Sequence, residues 1–139
     1  MRPRCLSLFR FDLSAIWPDC KCQYMPLLKI ETTVTLSEDK RNGLLTSLSK
    51  LVAGTIGKPE QYVMVAISQT AMVMSGKQSD AAFVDIRSIG GLSSDVNRKL
   101  SQQVGKLLTD SLGIPPDRVY LNFTDVEASN WGWNGSTFG

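Results

Sequence analysis

Histidine is absent from all 139 residues. That removes the Ser–His and Cys–His pairs, the imidazole general base and histidine-ligated metals from the reading. Any acid–base chemistry then falls to an amine, a carboxylate or a phenol. Cysteine is scarce and confined: Cys5, Cys20 and Cys22 all precede residue 25. Cys20-Lys21-Cys22 is half of a metal site, and no second pair of ligands follows to complete it. Residues 25–139 thus contain no thiol, disulfide or redox motif, which is consistent with a reducing compartment. No apolar run approaches the roughly 18 residues of a spanning helix, so no membrane association is expected. No cofactor-binding motif is expected either.

Basic excess is also missing where it would matter. Arg2, Arg4, Arg10 and Lys21 face only Asp12 and Asp19 in residues 1–24, which accounts for the whole formal charge of +2. The remainder balances 11 basic against 11 acidic residues and gives no footprint for nucleic acid. Residues 1–24 are Arg-bearing, and their apolar stretch is broken by Arg10, Asp12 and Pro18. They lack the continuous apolar region of a secretory signal. Either an organelle transit peptide or a mis-assigned upstream start accounts for them. The expectation is a leader at 1–24 and one domain at 25–139.

Within that domain the periodicity changes twice, in the same order. Leu27 to Thr35 alternates, with Leu28, Ile30, Thr32 and Val34 on one face, which predicts a strand. Ser37 caps a helix whose stripe is Leu44, Leu45, Leu48, Leu51, Val52 and Ile56; Gly57 and Pro59 end it. Tyr62 to Ile67 is a short continuous apolar run, which predicts a strand buried on both faces. The second half repeats this plan. A strand at Ala82–Ile86 ends in Ser88-Ile89-Gly90-Gly91. A helix follows with Val96, Leu100, Val104, Leu107, Leu108 and Leu112 in its stripe, and Val119 to Phe123 is the return strand. Pro59-Glu60 and Pro116-Asp117 are taken as equivalent, which implies a duplication of about 57 residues. Two βαβ halves predict a four-stranded sheet with both helices on one face, an α/β (α+β) domain. The uncovered face, carrying apolar positions, calls for self-association.

Met25-Pro26 stands at the start of the first strand. If the mature chain begins at Pro26, its nitrogen is a secondary amine able to accept a proton. If the preceding residues remain, it is an amide and cannot.

Met25-Pro26, Gly57-Lys58-Pro59, Ser88-Ile89-Gly90, Asp117 to Asn122 and Gly132-Trp133-Asn134-Gly135-Ser136-Thr137-Phe138 together resemble the macrophage migration inhibitory factor and D-dopachrome tautomerase family. The resemblance spans residues 25–139, and Gly90-Gly91-Leu92 with Asp95 to Leu100 looks especially like plant and algal members. It implies a tautomerase fold assembled as a homotrimer, with active sites between neighbouring subunits and no cofactor or metal. The implied activity is keto–enol tautomerisation of a small aromatic α-keto acid such as phenylpyruvate. Pro26 is the implied general base. Lys58, the Ile89 backbone N–H, Tyr120 of the neighbouring subunit and Asn122 are implied substrate contacts, and Trp131, Trp133 and Phe138 an apolar lining. The alternative implied by animal relatives is a cytokine-like binding protein with a protein receptor and little catalysis. A cytoplasmic location is expected, with secretion lacking a signal peptide or an organelle as alternatives. Two features depart from the animal pattern. Ala81-Ala82-Phe83-Val84 stands where the cytokine has Cys-x-x-Cys, so a thiol oxidoreductase role is not implied. Trp131 occupies a usually aliphatic position.

Overall fold

The structure, a computed structural model, describes residues 25–139. The expected leader, with Cys5, Cys20 and Cys22, lies outside the described residues. Strand β1 (Leu27–Thr32) is followed by helix α1 (Glu38–Ile56), then strands β2 (Met64–Gln69) and β3 (Ala82–Ser88). Helix α2 (Ser94–Leu112), strand β4 (Val119–Asp125) and a short hairpin, β5 (Gly132–Trp133) and β6 (Ser136–Thr137), complete the chain.

The sheet order is β2-β1-β3-β4. β1 runs parallel to β2 and antiparallel to β3, and β3 runs parallel to β4. The two central strands therefore come one from each half. Alternation decides which face is buried. Leu28, Ile30 and Thr32 of β1, with Ala82, Val84 and Ile86 of β3, are buried beneath both helices; Lys29, Phe83 and Arg87 point the other way into solvent. Leu48 and Val52 of α1 meet Leu100, Val104 and Leu108 of α2 in one continuous core. Truncating Leu48 or Leu108 to alanine is expected to remove about 2–5 kcal/mol of stability.

The duplication is legible in the elements. Both helices are 19 residues long, with serine N-caps and left-handed glycine C-caps at Gly57 and Gly113. A single 3-10 turn follows each, at Glu60–Tyr62 and Pro116–Arg118. Those turns are capped by Pro59 and Pro115, so Pro59 corresponds to Pro115 and not to Pro116 as the dipeptide match suggested.

Two strand expectations are corrected. β1 ends at Thr32 and not Thr35, because the Thr32 hydroxyl turns the chain by donating to the Ala81 carbonyl and accepting from the Val34 N–H. β2 begins at Met64, since Tyr62 belongs to the 3-10 turn. It is an edge strand, buried on one face only: Val65 and Ile67 lean on the core while Met64 is 65% exposed. An apolar run cannot distinguish a strand buried on two faces from one whose outer face is bare within the single chain. The bare face itself is mixed. Met64, Phe83 and Tyr120 share it with the ion pairs Lys29–Glu31 and Arg87–Asp85, each at 2.9 Å.

Candidate functional site

Three segments converge at one end of the sheet. Pro26 precedes β1 and is fully buried. Its carbonyl accepts the Met64 N–H at 3.0 Å, which ties it to β2. On the other side, β1 pairs Leu27 with Arg87, and continuing that register by one residue sets Pro26 opposite Ser88. The third segment is the exit from α1. Gly57 and Lys58 N–H both donate to the Ala53 carbonyl, at 3.0 and 2.9 Å, so the cap fixes where Lys58 leaves the helix.

Gly91 brings Lys58 to the β3 turn. Its φ is +78°, and a Cβ built there would lie 2.8 Å from Ile56 Cγ2 and 3.9 Å from Lys58 Cε. Only glycine combines that backbone with that approach. The lysine methylenes thus pass beside the turn that follows Ser88.

The orientation of that turn follows from one hydrogen bond. The Ser88 carbonyl accepts the Val126 N–H at 2.9 Å, so it points toward β4. The Ile89 N–H belongs to the same planar trans peptide and must point the opposite way, toward the β1 side where Pro26 lies. Among the described residues nothing accepts the Ile89 N–H. The next peptide is held too, because the Gly90 N–H donates to Asp125 Oδ1 at 2.9 Å. Nearby, the buried Ser88 hydroxyl and the Asn97 Oδ1 of the first turn of α2 have no hydrogen-bond partner among the described residues. Such atoms are uncommon in folded interiors.

A backbone donor directed toward the Pro26 side and a lysine side chain passing the same turn suit an anionic, oxygen-bearing small molecule. Among the described residues no group of three or more His, Cys, Asp or Glu is placed to hold a metal ion. No helix among them is long and apolar enough to cross a membrane.

The other expected residues lie elsewhere. Tyr120 pairs with Phe83 and Asn122 with Asp85, both on the bare face of the sheet. Tyr120 stands five residues from the end row of Ser88 and Asp125, roughly 16 Å along the strands. It is 64% exposed. Asn122 Nδ2 donates to Thr124 Oγ1 at 3.2 Å and Asp85 Oδ1 at 3.4 Å. Trp133 and Phe138 stack at a centroid distance of 6.2 Å across the β5–β6 hairpin, whose turn is Asn134-Gly135 with positive φ at both residues. The Trp131 carbonyl accepts the Phe138 N–H at 3.1 Å and closes the hairpin. A single chain therefore brings together Pro26, Lys58 and Ile89, while Tyr120 and Asn122 face outward. Sequence reasoning quoted Ser88 and Gly91 only as motif members and did not single out Asp125, because their placement depends on the β3–β4 register and on one close approach.

The family model described as macrophage migration inhibitory factor (MIF) matches residues 25–139. A macrophage migration inhibitory factor homolog from Trichuris trichiura is 44% identical over 115 residues, covering 82% of this chain and 100% of that protein. The crystal structure of a homologue from Prochlorococcus marinus is similar with a TM-score of 0.78 and 41% identity, covering 81% of this chain and 99% of that one. The structure of a MIF-like protein from Entamoeba histolytica aligns with a TM-score of 0.79 at 33% identity, covering 82% and 99%.

Proposed function

This chain belongs to the macrophage migration inhibitory factor family, whose function is of the tautomerase type, and on that premise we propose that it interconverts the enol and keto forms of a small aromatic α-keto acid. The observation that carries the reading is the convergence of Pro26, Lys58 and an Ile89 N–H directed toward the Pro26 side, at one end of the sheet. In this mechanism the mature chain begins at Pro26. Its amine accepts the enol hydroxyl proton, and the resulting ammonium delivers a proton to the substrate carbon. An α-amine titrates near pH 8, and a base working near neutrality must sit below that. Burial and the Lys58 charge both push an amine's pKa down. Lys58 also receives the substrate carboxylate. The Ile89 N–H meets the oxygen on which charge grows in the transition state, where a fixed donor contributes most.

Tyr120 and Asn122 enter this reading from a neighbouring subunit of a homotrimer, because they lie on the bare face, away from their own Pro26. Trp131, Trp133 and Phe138 supply the apolar wall for an aromatic ring. A cytoplasmic location is part of the same proposal, tested by imaging the protein with a C-terminal label.

The test is an enol–keto assay with phenylpyruvate on protein starting at Pro26 and on its Pro26→Gly variant. Loss of the positioned base is expected to slow turnover about 100-fold or more; equal rates discard the mechanism. A second reading applies to protein that keeps residues before Pro26. With Met25 attached, the Pro26 nitrogen is an amide within a fully buried residue, which favours a binding or signalling protein without catalysis. N-terminal sequencing of the natural protein decides between the two forms.

A further inference from the structure

We propose that Asp125 is a positioning residue: by holding the Gly90 N–H it pins the turn beyond Ile89 and keeps the Ile89 N–H in the direction that the Ser88–Val126 bond gives it, at the oxygen-binding end of the site. The inference rests on the tautomerase reading for its catalytic consequence but on geometry alone for its structural one.

Ile89 sits between two peptide groups, and the end of β4 with the residue after it holds both. The peptide joining Ser88 to Ile89 is fixed through its carbonyl by the Val126 N–H at 2.9 Å. The peptide joining Ile89 to Gly90 is fixed through its N–H by Asp125 Oδ1, also at 2.9 Å. With both planes held, rotation about φ and ψ of Ile89 is restrained from both sides, and its N–H is kept from swinging with the turn. The two holds differ in kind. The first continues the β3–β4 ladder and would survive any side-chain change. The second depends on one carboxylate. The following residues, Gly90 and Gly91, have φ of 71° and 78° and lie outside the regular ladder. Without Asp125 the turn is pinned at one side only, with two glycines free to reorient beyond it.

The register explains why the contact is available. Ser88 and Asp125 are in-register partners and the last residues of their strands. Asp125 therefore projects beside the turn as the chain leaves the sheet. Misplacing a catalytic donor by about 1 Å can cost roughly 100-fold in rate. An acceptor in this place consequently controls turnover without touching substrate.

Two variants separate acceptor from charge. Asp125→Asn keeps an oxygen acceptor and removes the charge; Asp125→Ala removes both. Turnover is measured on protein starting at Pro26, which retains the entire core. Asp125→Ala is expected to lower kcat at least tenfold with a smaller change in KM, while Asp125→Asn stays within about threefold of the parent. In the full chain, exchange of the Gly90 amide with deuterium is expected to accelerate at least tenfold in Asp125→Ala and not in Asp125→Asn. Equal losses in both variants would assign the effect to charge and overturn the proposal, as would an unaltered Gly90 amide in Asp125→Ala. If the parent shows no turnover, the tautomerase reading fails by itself. Phenylpyruvate titration then decides the role of Asp125. A shift of the Ile89 amide resonance in the parent and Asp125→Asn, but not Asp125→Ala, supports it, and the same response in all three overturns it.

Discussion

The two ends of the sheet are built from equivalent pieces and finished differently. At each, a 19-residue helix stops on a left-handed glycine, followed by one residue and a proline. After Gly113 that residue is Ile114, fully buried, with its carbonyl held by the Thr109 hydroxyl at 2.7 Å. After Gly57 it is Lys58, partly exposed and leaning past Gly91. The strands differ likewise. Ala81 precedes β3 and its carbonyl accepts both the Thr33 N–H and the Thr32 hydroxyl. Near it, the Arg118 guanidinium donates to the carbonyls of Met74, Lys77, Ser79 and Asp80. That end is sealed by hydrogen bonds. The end at Pro26 keeps an unaccepted Ile89 N–H and an orphaned Ser88 hydroxyl among its described residues. Among the described residues, the duplicated fold thus has one end closed by hydrogen bonds and one end that keeps polar groups unaccepted.

Exchanging the equivalent residues should break the comparison most severely. Ile114→Lys forces an ammonium into the core and is expected to cost about 3–5 kcal/mol in urea unfolding, if the protein folds at all. Lys58→Ile at the other end should leave unfolding within about 0.5 kcal/mol of the parent, because that position is not part of the core. Next, Arg118→Ala releases four carbonyls and is expected to cost about 2 kcal/mol, with faster amide exchange across residues 74–80. Lys58→Ala should raise KM for phenylpyruvate about tenfold in protein starting at Pro26, equivalent to about 1.4 kcal/mol. Its sign on pH follows from charge. Removing a cation lets the Pro26 amine bind its proton more tightly, so the acidic limb of the rate profile moves to higher pH. An unmoved limb would remove Lys58 from the electrostatic role. Apart from the near-neutral Lys58→Ile, the smallest effect is expected for Thr109→Val, about 1 kcal/mol, from loss of the hydroxyl bond to Ile114.

Much of this architecture was legible without coordinates. Ser37, Gly57, Gly113 and the spacing of Leu44, Leu48 and Val52 define α1 and the end of α2, because caps and a 3.6-residue stripe are local signals. The outer face of β2 is not legible in the sequence, because Met64 looks the same whether a partner covers it or not. The residues of the candidate site divide along the same line. Pro26, Lys58 and Ile89 were named through family resemblance. Gly91 and Asp125 escaped because a 2.8 Å approach and a side-chain bond across 35 residues have no sequence period.

Where β1 sits has a practical outcome. It is an interior strand of the sheet, flanked by β2 and β3, and Pro26 leads directly into it. A chain end on an outermost strand frays, and additions to it trail harmlessly into solvent. In the proposed form starting at Pro26, the end issues from the middle of a sheet and offers no such slack, so purification tags belong after Gly139. In the proposed mechanism, even a single methionine left in front of the proline would turn its amine into an amide that accepts no proton.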